Sequence, residues 1–125
     1  MPSTTREIAD KLVQYCRTGD TITGLNDLYA ADAVSVEAAP QPGSDGVETS
    51  GRDGIIGKHQ WWDENFEVHG GEVDGPYMHG DDRFGVIFEM DVTHKASGER
   101  SAMKEFGVYT VKNGKIVREE FFYTM

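Results

Sequence analysis

Four ionisable residues stand at positions that the apolar pattern of the sequence would place inside the protein. They are Glu37, His59, Glu105 and Glu119. Burial raises the pKa of a carboxyl group and lowers the pKa of an imidazole, so buried side chains of these two types exchange protons near neutral pH. If the four residues converge on one pocket, the sequence predicts general acid–base chemistry there, with Tyr109 as a further hydrogen-bond donor.

Each of the four residues also has a purely structural interpretation. Glu37 lies in the run DAVSVEAA, where it either lines a cavity or is a solvated carboxylate on a strand. Glu105 and Glu119 either face the interior or project from the solvent side of their strands, because side chains alternate between the two faces. His59 is either a pocket residue or a core histidine with satisfied hydrogen bonds.

Motifs for metal and cofactor chemistry are absent from the sequence. The four histidines, at positions 59, 69, 79 and 94, form neither a His-x-His nor a His-Glu-x-x-His pair, although metal sites are commonly built on such spacings. A Gly-x-Gly-x-x-Gly turn, a phosphate-binding loop and a Gly-x-Ser-x-Gly elbow are also missing. We therefore expect no metal and no cofactor, and we interpret the lone Cys16 as a small core residue rather than a nucleophile.

The charge of the chain argues against two classes of partner. With 12 basic and 22 acidic residues, the formal net charge is −10, and such a surface repels phosphate backbones and anionic lipid. No apolar run approaches the ~20 residues that cross a bilayer. We expect neither nucleic acid nor a membrane as a partner, and the single cysteine with a polar N-terminus predicts a cytoplasmic protein.

Apolar spacing predicts two helices and a strand at the start of the chain. Thr4 and Glu7 have the spacing of a capping box, and an apolar stripe follows as far as Gly19. A second short helix covers residues 22–29, and a strand is predicted over residues 32–39. The loop over residues 40–54 is rich in proline and glycine, and the sequence leaves open whether its residues 40–52 close over the site as a lid.

A third helix carries an apolar face that must cover a sheet. This face consists of Ile55, His59, Trp62 and Phe66, at positions i, i+4, i+7 and i+11. Lys58 is assigned to the polar side of the helix. Of the two adjacent tryptophans, Trp62 is expected to point inward and Trp61 outward, and Ser50 or Asp53 is the expected N-terminal cap.

From position 68 onward the apolar period changes to two, which predicts strands over residues 68–78, 84–92, 101–111 and 115–124. Asn113-Gly114 between the last two strands is typical of a tight hairpin turn. In the last strand, Val117, Glu119 and Phe121 are expected to share one face. The order of elements predicts a single domain over residues 1–125, of the α+β class, with the helices on one face of a curved antiparallel sheet.

Three segments resemble the nuclear transport factor 2-like superfamily, in particular its SnoaL-like branch: LYAADAVSVEA, SGRDGI and NGKIVREEFFY. The resemblance implies a cone-shaped fold, in which three N-terminal helices pack on a strongly curved antiparallel or mixed sheet around an apolar cavity. It also implies a homodimer that pairs the outer sheet faces. Members of the superfamily include ketosteroid isomerases, dehydratases, an epoxide hydrolase and polyketide cyclases, so the fold alone does not determine a reaction.

The resemblance to ketosteroid isomerases assigns several pocket positions. Glu37 falls on the catalytic aspartate of that family, and His59 falls on a pocket tyrosine. Three residues of the last strand, Glu119, Phe121 and Tyr123, fall on pocket-lining positions.

Two positions depart from the isomerase pattern. Leu12 replaces the tyrosine of the oxyanion hole, and the protonated aspartic acid falls on or near Gly107, one inward step from Glu105. Each such donor can be worth a few kcal/mol of barrier. A typical steroid isomerase is therefore not expected, and Glu105 or Tyr109 is the alternative donor.

Two hypotheses for the function remain, and they differ in the state of Glu37. In the first, the protein is a cofactor-independent isomerase, dehydratase or cyclase that acts on a small apolar carbonyl or hydroxyl compound. Glu37 is the general base, and His59 or Tyr109 is the acid or hydrogen-bond donor. The expected ligand-binding residues are Leu12, Trp62, Phe88, Glu119, Phe121 and Tyr123.

In the second hypothesis, the protein is a noncatalytic small-ligand-binding or dimeric interaction module of the same fold. Glu37 is then held by a fixed partner, such as backbone amides or a buried arginine. The arginines that the sequence offers for this role are Arg83, Arg100 and Arg118.

Overall fold

A computed structural model describes residues 4–38 and 46–123 and contains, within them, three helices and six strands. The helices are α1 (Thr5–Thr18), α2 (Thr21–Leu28) and α3 (Arg52–Asn65). The strands are β1 (Tyr29–Val36), β2 (Glu48–Ser50), β3 (Phe66–His79), β4 (Arg83–His94), β5 (Arg100–Lys112) and β6 (Lys115–Phe122). The chain is thus of the predicted α+β class, and β3 to β6 begin and end within two residues of the predicted ranges.

Local sequence signals define both ends of α1. The Thr4 side chain accepts a hydrogen bond from the backbone N–H of Glu7, and the Glu7 side chain accepts one from the Thr4 backbone, so the predicted capping box is confirmed. Gly19 ends the helix with φ 76°, a left-handed conformation that glycine adopts without a steric penalty. The apolar stripe of α1 is buried, and it contacts β3 and β4.

The six strands form one mixed sheet in the order β2-β1-β6-β5-β4-β3. All neighbouring strands are antiparallel except β1 and β6, which run parallel. The fully antiparallel arrangement expected from strand order alone is therefore wrong for this pair. The parallel pairing places Ser35 opposite Glu119, which is the contact on which the candidate site is built.

Irregular pairing bends the sheet and changes which side chains face inward. The β3–β4 ladder shifts register between Val68 and Gly70 and between Asp74 and Tyr77, as the glycines in this stretch predict. Another shift lies between Thr110 and Val111 in the β5–β6 ladder. Because of this shift Ile116, rather than the expected Val117, is fully buried.

Three local predictions from the sequence are wrong. The first strand begins at Tyr29 and ends at Val36, so Glu37 lies just beyond it, where its N–H donates to the Val47 carbonyl at 2.8 Å. The predicted loop over residues 40–54 contains β2 and the start of α3. Its residues 40–45 lie outside the described part of the chain, so the question of whether the loop closes as a lid lies outside it as well. Among the described residues no side chain caps α3, which follows Gly51 at φ 88°, so the expected cap by Ser50 or Asp53 is wrong.

The helices cover the face of the sheet that carries the core. α1 contacts β3 and β4, and α3 contacts β1, β2 and β3. The buried apolar cluster joins α1 to the sheet through Phe84 and Tyr109, whose rings stack at 5.0 Å. Within the described residues, no helix is both long enough and apolar enough to cross a membrane.

Candidate active site

A cavity of about 920 Å³ lies between the helices and the inner face of the sheet. All ten residues that the sequence analysis assigned to the site line it, namely Leu12, Glu37, His59, Trp62, Phe88, Glu105, Tyr109, Glu119, Phe121 and Tyr123. Its volume lies in the range typical of pockets for small organic molecules. The fold thus brings together side chains from helices and strands that are far apart in sequence.

Glu119 is the most deeply buried carboxylate of the cavity, with 1% of the residue exposed. Its Oε1 accepts a hydrogen bond from the Tyr29 hydroxyl, and its Oε2 accepts one from the Ser35 hydroxyl at 2.6 Å. Both donors lie on β1, and the parallel β1–β6 register holds Ser35 directly opposite. Burial and the neighbouring Glu119 carboxylate raise the pKa of Tyr29 well above its ordinary value, so this phenol remains a donor.

Lys58 connects the two carboxylates at this end of the cavity. Its Nζ donates to Glu37 Oε1 at 2.7 Å and to the Ser35 hydroxyl, and it lies 3.9 Å from Glu119 Oε2. The Lys58 side chain is 16% exposed, so its assignment to the polar side of α3 is wrong. Position 58 is three residues after the buried Ile55, and residues three apart lie on the same face of a helix.

Glu37 is an ion-pair partner rather than a free carboxylate. Lys58 contacts Oε1, and the Tyr123 hydroxyl donates to Oε2 at 3.1 Å. Two of the arginines expected to hold Glu37 pair with other residues, Arg118 with Glu120 and Arg100 with Asp91. The fixed partner that the binding-module hypothesis requires therefore exists, but it is a lysine.

Glu105 is the carboxyl group of the cavity without such a partner. It lies on β5 opposite Phe88, and its side chain faces inward rather than toward solvent. Within the described residues, no side chain or backbone group forms a hydrogen bond to its carboxylate. Burial, followed by the carboxylates of Glu37 and Glu119, raises the pKa of Glu105 to about 7, and the Lys58 ammonium partly opposes them.

His59 follows Lys58 on α3 and also lines the cavity. Burial lowers the pKa of its imidazole, an effect that the nearby Glu119 carboxylate opposes and Lys58 reinforces. A neutral imidazole is both a hydrogen-bond donor and an acceptor. The site thus holds a carboxyl group that titrates near neutral pH and an imidazole that is uncharged there.

Two further ionisable groups of the cavity remain protonated. Burial raises the pKa of Tyr109 well above its ordinary value, and the ring is fixed by stacking on Phe84 and by an edge contact with Phe121. Burial raises the pKa of Cys16 to about 12, so the thiolate needed of a nucleophile is not formed at neutral pH. The Tyr109 phenol is therefore available as a neutral donor.

Aromatic rings surround the outer part of the cavity. Trp62 stacks on Phe66 at 4.0 Å, and Phe66 in turn contacts Trp61 and His94 at 6.1 and 5.0 Å. Both tryptophans are half-buried and line the cavity, so the expectation that Trp61 points outward is wrong. The chain passes from α3 to β3 at Phe66, and both tryptophan rings contact the Phe66 ring there.

The sequence analysis missed three residues of the polar network: Tyr29, Ser35 and Lys58. Ser35 lies two residues after the fully buried Ala33 on β1. Residues two apart share a strand face, so strand periodicity predicts that Ser35 also faces inward. Lys58 lies on the helical stripe of Ile55. Only the partners remained unpredictable, because they come from β1, α3 and β6.

No set of three metal-ligating side chains among residues 4–38 and 46–123 is arranged to hold a metal ion. What the arrangement can do chemically is move a proton. Glu105 can accept or release one near neutral pH, while His59 and Tyr109 can donate hydrogen bonds to an oxygen of a bound molecule.

The curved sheet, the helices on its inner face and the cavity between them define the nuclear transport factor 2-like fold. Within that class, the chain belongs to the SnoaL-like domain family, whose model matches residues 3–123. The resemblance noted in the sequence is thereby confirmed. A search of curated protein sequences finds no significant match.

Solved structures similar to this chain share its fold over nearly the whole length. A candidate SnoaL-like polyketide cyclase from Mesorhizobium loti is 45% identical, with 97% of this chain and 100% of that chain covered and a TM-score of 0.89. A nuclear transport factor 2-like protein from Burkholderia thailandensis is 17% identical, with 98% and 92% covered and a TM-score of 0.80. A protein with a ketosteroid isomerase-like fold from Catenulispora acidiphila, solved in complex with trimethylamine, is 22% identical, with 98% and 88% covered and a TM-score of 0.73.

Proposed function

We propose that the protein is a cofactor-independent enzyme of the isomerase, dehydratase or cyclase type, which moves a proton within a small, largely apolar carbonyl or hydroxyl compound. The observation that carries the proposal is Glu105, a carboxyl group inside an apolar cavity with no hydrogen-bond partner among the described residues. A group that titrates near the working pH is the most effective general acid or base. Glu105 therefore takes the catalytic role.

The reaction needs a general base and a hydrogen-bond donor. The Glu105 carboxylate removes a proton from the carbon next to the substrate carbonyl, and the electron pair moves to the carbonyl oxygen. His59 or Tyr109 donates a hydrogen bond to that oxygen as negative charge develops. Glu105 then returns the proton to another atom of the substrate, so no oxidant or cofactor is consumed.

Glu37 has a different role in this proposal. Both of its oxygens are engaged, by Lys58 and by Tyr123, and abstraction of a proton would require one of these contacts to break. Its function as the general base therefore stays a prediction. In the proposed mechanism, burial and then the carboxylates of Glu37 and Glu119 keep the pKa of Glu105 near neutral.

Proton exchange in heavy water tests the proposal before the substrate is known. A panel of ketones, β-keto esters and β-hydroxy ketones is incubated with the protein, and loss of the C–H signal is followed by NMR. We expect at least one compound to exchange faster with the protein than without it, with a rate that rises through pH 7.

Glu105→Gln should lower that rate by ~10²–10⁴, the usual contribution of a general base. The matched control is Glu99→Gln, which removes a carboxylate from the exposed turn after β4. If Glu105→Gln exchanges protons as fast as wild type while Glu37→Gln does not, the base is Glu37 and the assignment of Glu105 is wrong.

A second candidate is a noncatalytic binding module, which the engagement of Glu37 by Lys58 favours. In this case the cavity holds a small apolar ligand without converting it. Native mass spectrometry of the purified protein would then detect a copurified molecule whose mass stays constant on incubation. Turnover of that molecule would contradict the binding-module proposal.

We also propose that the outer face of the sheet forms a homodimer. Phe106 and Phe122 are paired across β5 and β6 on this face, and they are 39% and 52% exposed. Two such rings on a surface are an apolar patch that a second copy would bury. Phe122→Lys should shift the sedimentation coefficient toward that of a monomer, whereas Val47→Lys, at another exposed apolar residue, should not; equal behaviour of the two variants would contradict this interface. A cytoplasmic location also remains a proposal.

A further inference from the structure

We infer that the cavity binds an organic cation, an ammonium group that carries apolar substituents, in preference to a neutral or anionic molecule of the same shape. The inference rests on the proposed function and narrows its substrate class: the carbonyl or hydroxyl compound carries an ammonium group beside its apolar groups. Its first support is the balance of charge. The carboxylates that line the cavity are Glu37, Asp63, Glu72, Glu89, Glu105 and Glu119, and the cations are Arg17 and Lys58.

Both lining cations are engaged by groups of the protein. Lys58 is held by Glu37 and Ser35, and Arg17 donates to the Val73 carbonyl at 3.0 and 3.3 Å. One lining carboxylate, Glu89, is paired with Lys104 at 3.5 Å. Most of the other carboxylates have no cation of their own in the described part of the chain, so the lining retains a net negative charge.

The negative charge acts deep in the cavity. At Glu105, the carboxylates of Glu37 and Glu119 oppose ionisation more strongly than Lys58 favours it. An ammonium group beside Glu105 would therefore gain Coulomb energy and restore the balance. A carboxylate or phosphate in the same position would add a further like charge and would be repelled.

The aromatic wall suits the same ligand. The face of an aromatic ring carries negative charge density and attracts a cation within ~6 Å of its centre. Phe121 already holds the Lys58 ammonium in this way, at 5.5 Å from the ring centroid. Trp61 and Trp62, the rings that attract cations best, line the outer part of the same cavity. Apolar substituents on the ammonium group would pack against these rings.

Binding of a cation couples to the protonation of Glu105. The groups whose charge acts on the Glu105 carboxyl are Glu37 after β1, Lys58 from α3 and Glu119 on β6. Cys16 from α1, His59 from α3 and Tyr109 on β5 line the same cavity, and so do His69 on β3 and His94 on β4. Cys16 and Tyr109 stay protonated through neutral pH, and His59 is neutral above its lowered pKa. Because the pKa of Glu105 is about 7, a bound cation favours its ionised form between pH 6.5 and pH 8, and the Glu105→Gln variant separates this response from that of His69 or His94.

Three probes of one shape test the inference without turnover: choline, 3,3-dimethyl-1-butanol and 3,3-dimethylbutanoate, which carry charges of +1, 0 and −1. Their dissociation constants are measured by ligand-observed NMR at pH 8. We expect choline to bind at least fivefold more tightly than the alcohol, and the alcohol more tightly than the carboxylate. Equal affinities, the reverse order, or no binding of choline would overturn the inference.

The pH dependence gives a second readout. If binding lowers the pKa of Glu105 by one unit from about 7, choline affinity rises roughly threefold between pH 6.5 and pH 8. Glu105→Gln should abolish this rise, whereas Glu99→Gln should retain it. An identical rise in both variants would show that another group responds to the cation.

The two proposals can fail separately. Choline carries no activated C–H bond, so its binding is independent of proton transfer by Glu105. Preference for the cation without proton exchange on any carbonyl compound would support the ligand class and contradict the enzyme. Proton exchange with equal affinity for the three probes would do the opposite.

Discussion

Replacement of Lys58 by methionine tests whether the polar network at the end of the cavity stabilises the fold. Methionine keeps most of the length of the side chain and removes the ammonium group. The variant leaves Glu37 and Glu119 without their common cation, in side chains that are 11% and 1% exposed. Loss of one partner of a buried ion pair costs ~3–5 kcal/mol, and we reduce this to about 2–4 kcal/mol because the cavity admits water.

The assay is urea unfolding followed by circular dichroism at pH 7. With a urea m-value of about 1.5 kcal/mol/M, this loss lowers the midpoint by roughly 1.3–2.7 M. The matched control is Lys104→Met, which removes a lysine paired with Glu89 at 3.5 Å on the surface, where the two side chains are 69% and 49% exposed. We expect its midpoint to stay within about 0.3 M of wild type, because exposed ion pairs contribute little.

A double variant separates the loss of the ion pair from the loss of packing. Glu37→Gln removes one of the two carboxylates that Lys58→Met leaves unpaired, so the double variant should recover part of the lost stability. If Lys58→Met destabilises the protein no more than Lys104→Met does, Lys58 does not hold the carboxylates and the description of the network is wrong.

Three further predictions concern stability. Glu105 has a pKa of about 7 in the folded protein against an ordinary value of 4.5, so its contribution to stability is lost as pH rises from 4.5 through about 7. Relative to wild type, the unfolding free energy of Glu105→Gln, measured by urea unfolding, should increase by about 2 kcal/mol between pH 5 and pH 8. A difference between the two proteins that does not change with pH would refute this prediction. Tyr29→Phe removes a hydroxyl that donates to a buried carboxylate and should cost about 1.5–3 kcal/mol; an unchanged melting temperature in calorimetry would contradict that hydrogen bond. Gly71→Ala places a Cβ against the Glu89 carbonyl and should destabilise the protein. Gly57 lies on α3, and a Cβ added there meets no atom of the described residues within 4 Å, so Gly57→Ala should stabilise the protein by about 0.5–1 kcal/mol. Thermal unfolding that ranks the two variants in the opposite order would exclude the close approach of the two strands at Gly71.

Local sequence determined most of the elements. The capping box at Thr4, the glycine that ends α1 and the Asn113-Gly114 turn act through contacts between residues that are close in the chain, so their effects can be deduced without a fold. The strands β3 to β6 were predictable for the same reason, because the alternation of apolar residues persists over ten or so positions. Short β2 has too few residues for such a pattern.

The sequence also indicated which residues line the cavity, but not how they pair. Glu37 is indicated by its apolar neighbours and by the resemblance, but its pairing with Lys58 could not be deduced, although the spacing from Ile55 places Lys58 on the inner face of the helix. A lysine is buried only if carboxylates from other elements surround it. That condition could not be assessed before the positions of β1 and β6 were known.

Which carboxyl group is free for chemistry was decided by tertiary structure. Glu37, Glu105 and Glu119 are chemically alike, and the apolar pattern of the sequence would place each of them inside. The parallel pairing of β1 with β6 gives Glu119 the hydroxyl of Ser35, and the packing of α3 against β1 gives Glu37 the ammonium of Lys58. Glu105, on β5, receives no such partner among the described residues. The sequence could not decide between the three because the protonation of a carboxyl group depends on charges and donors that only the fold brings to it.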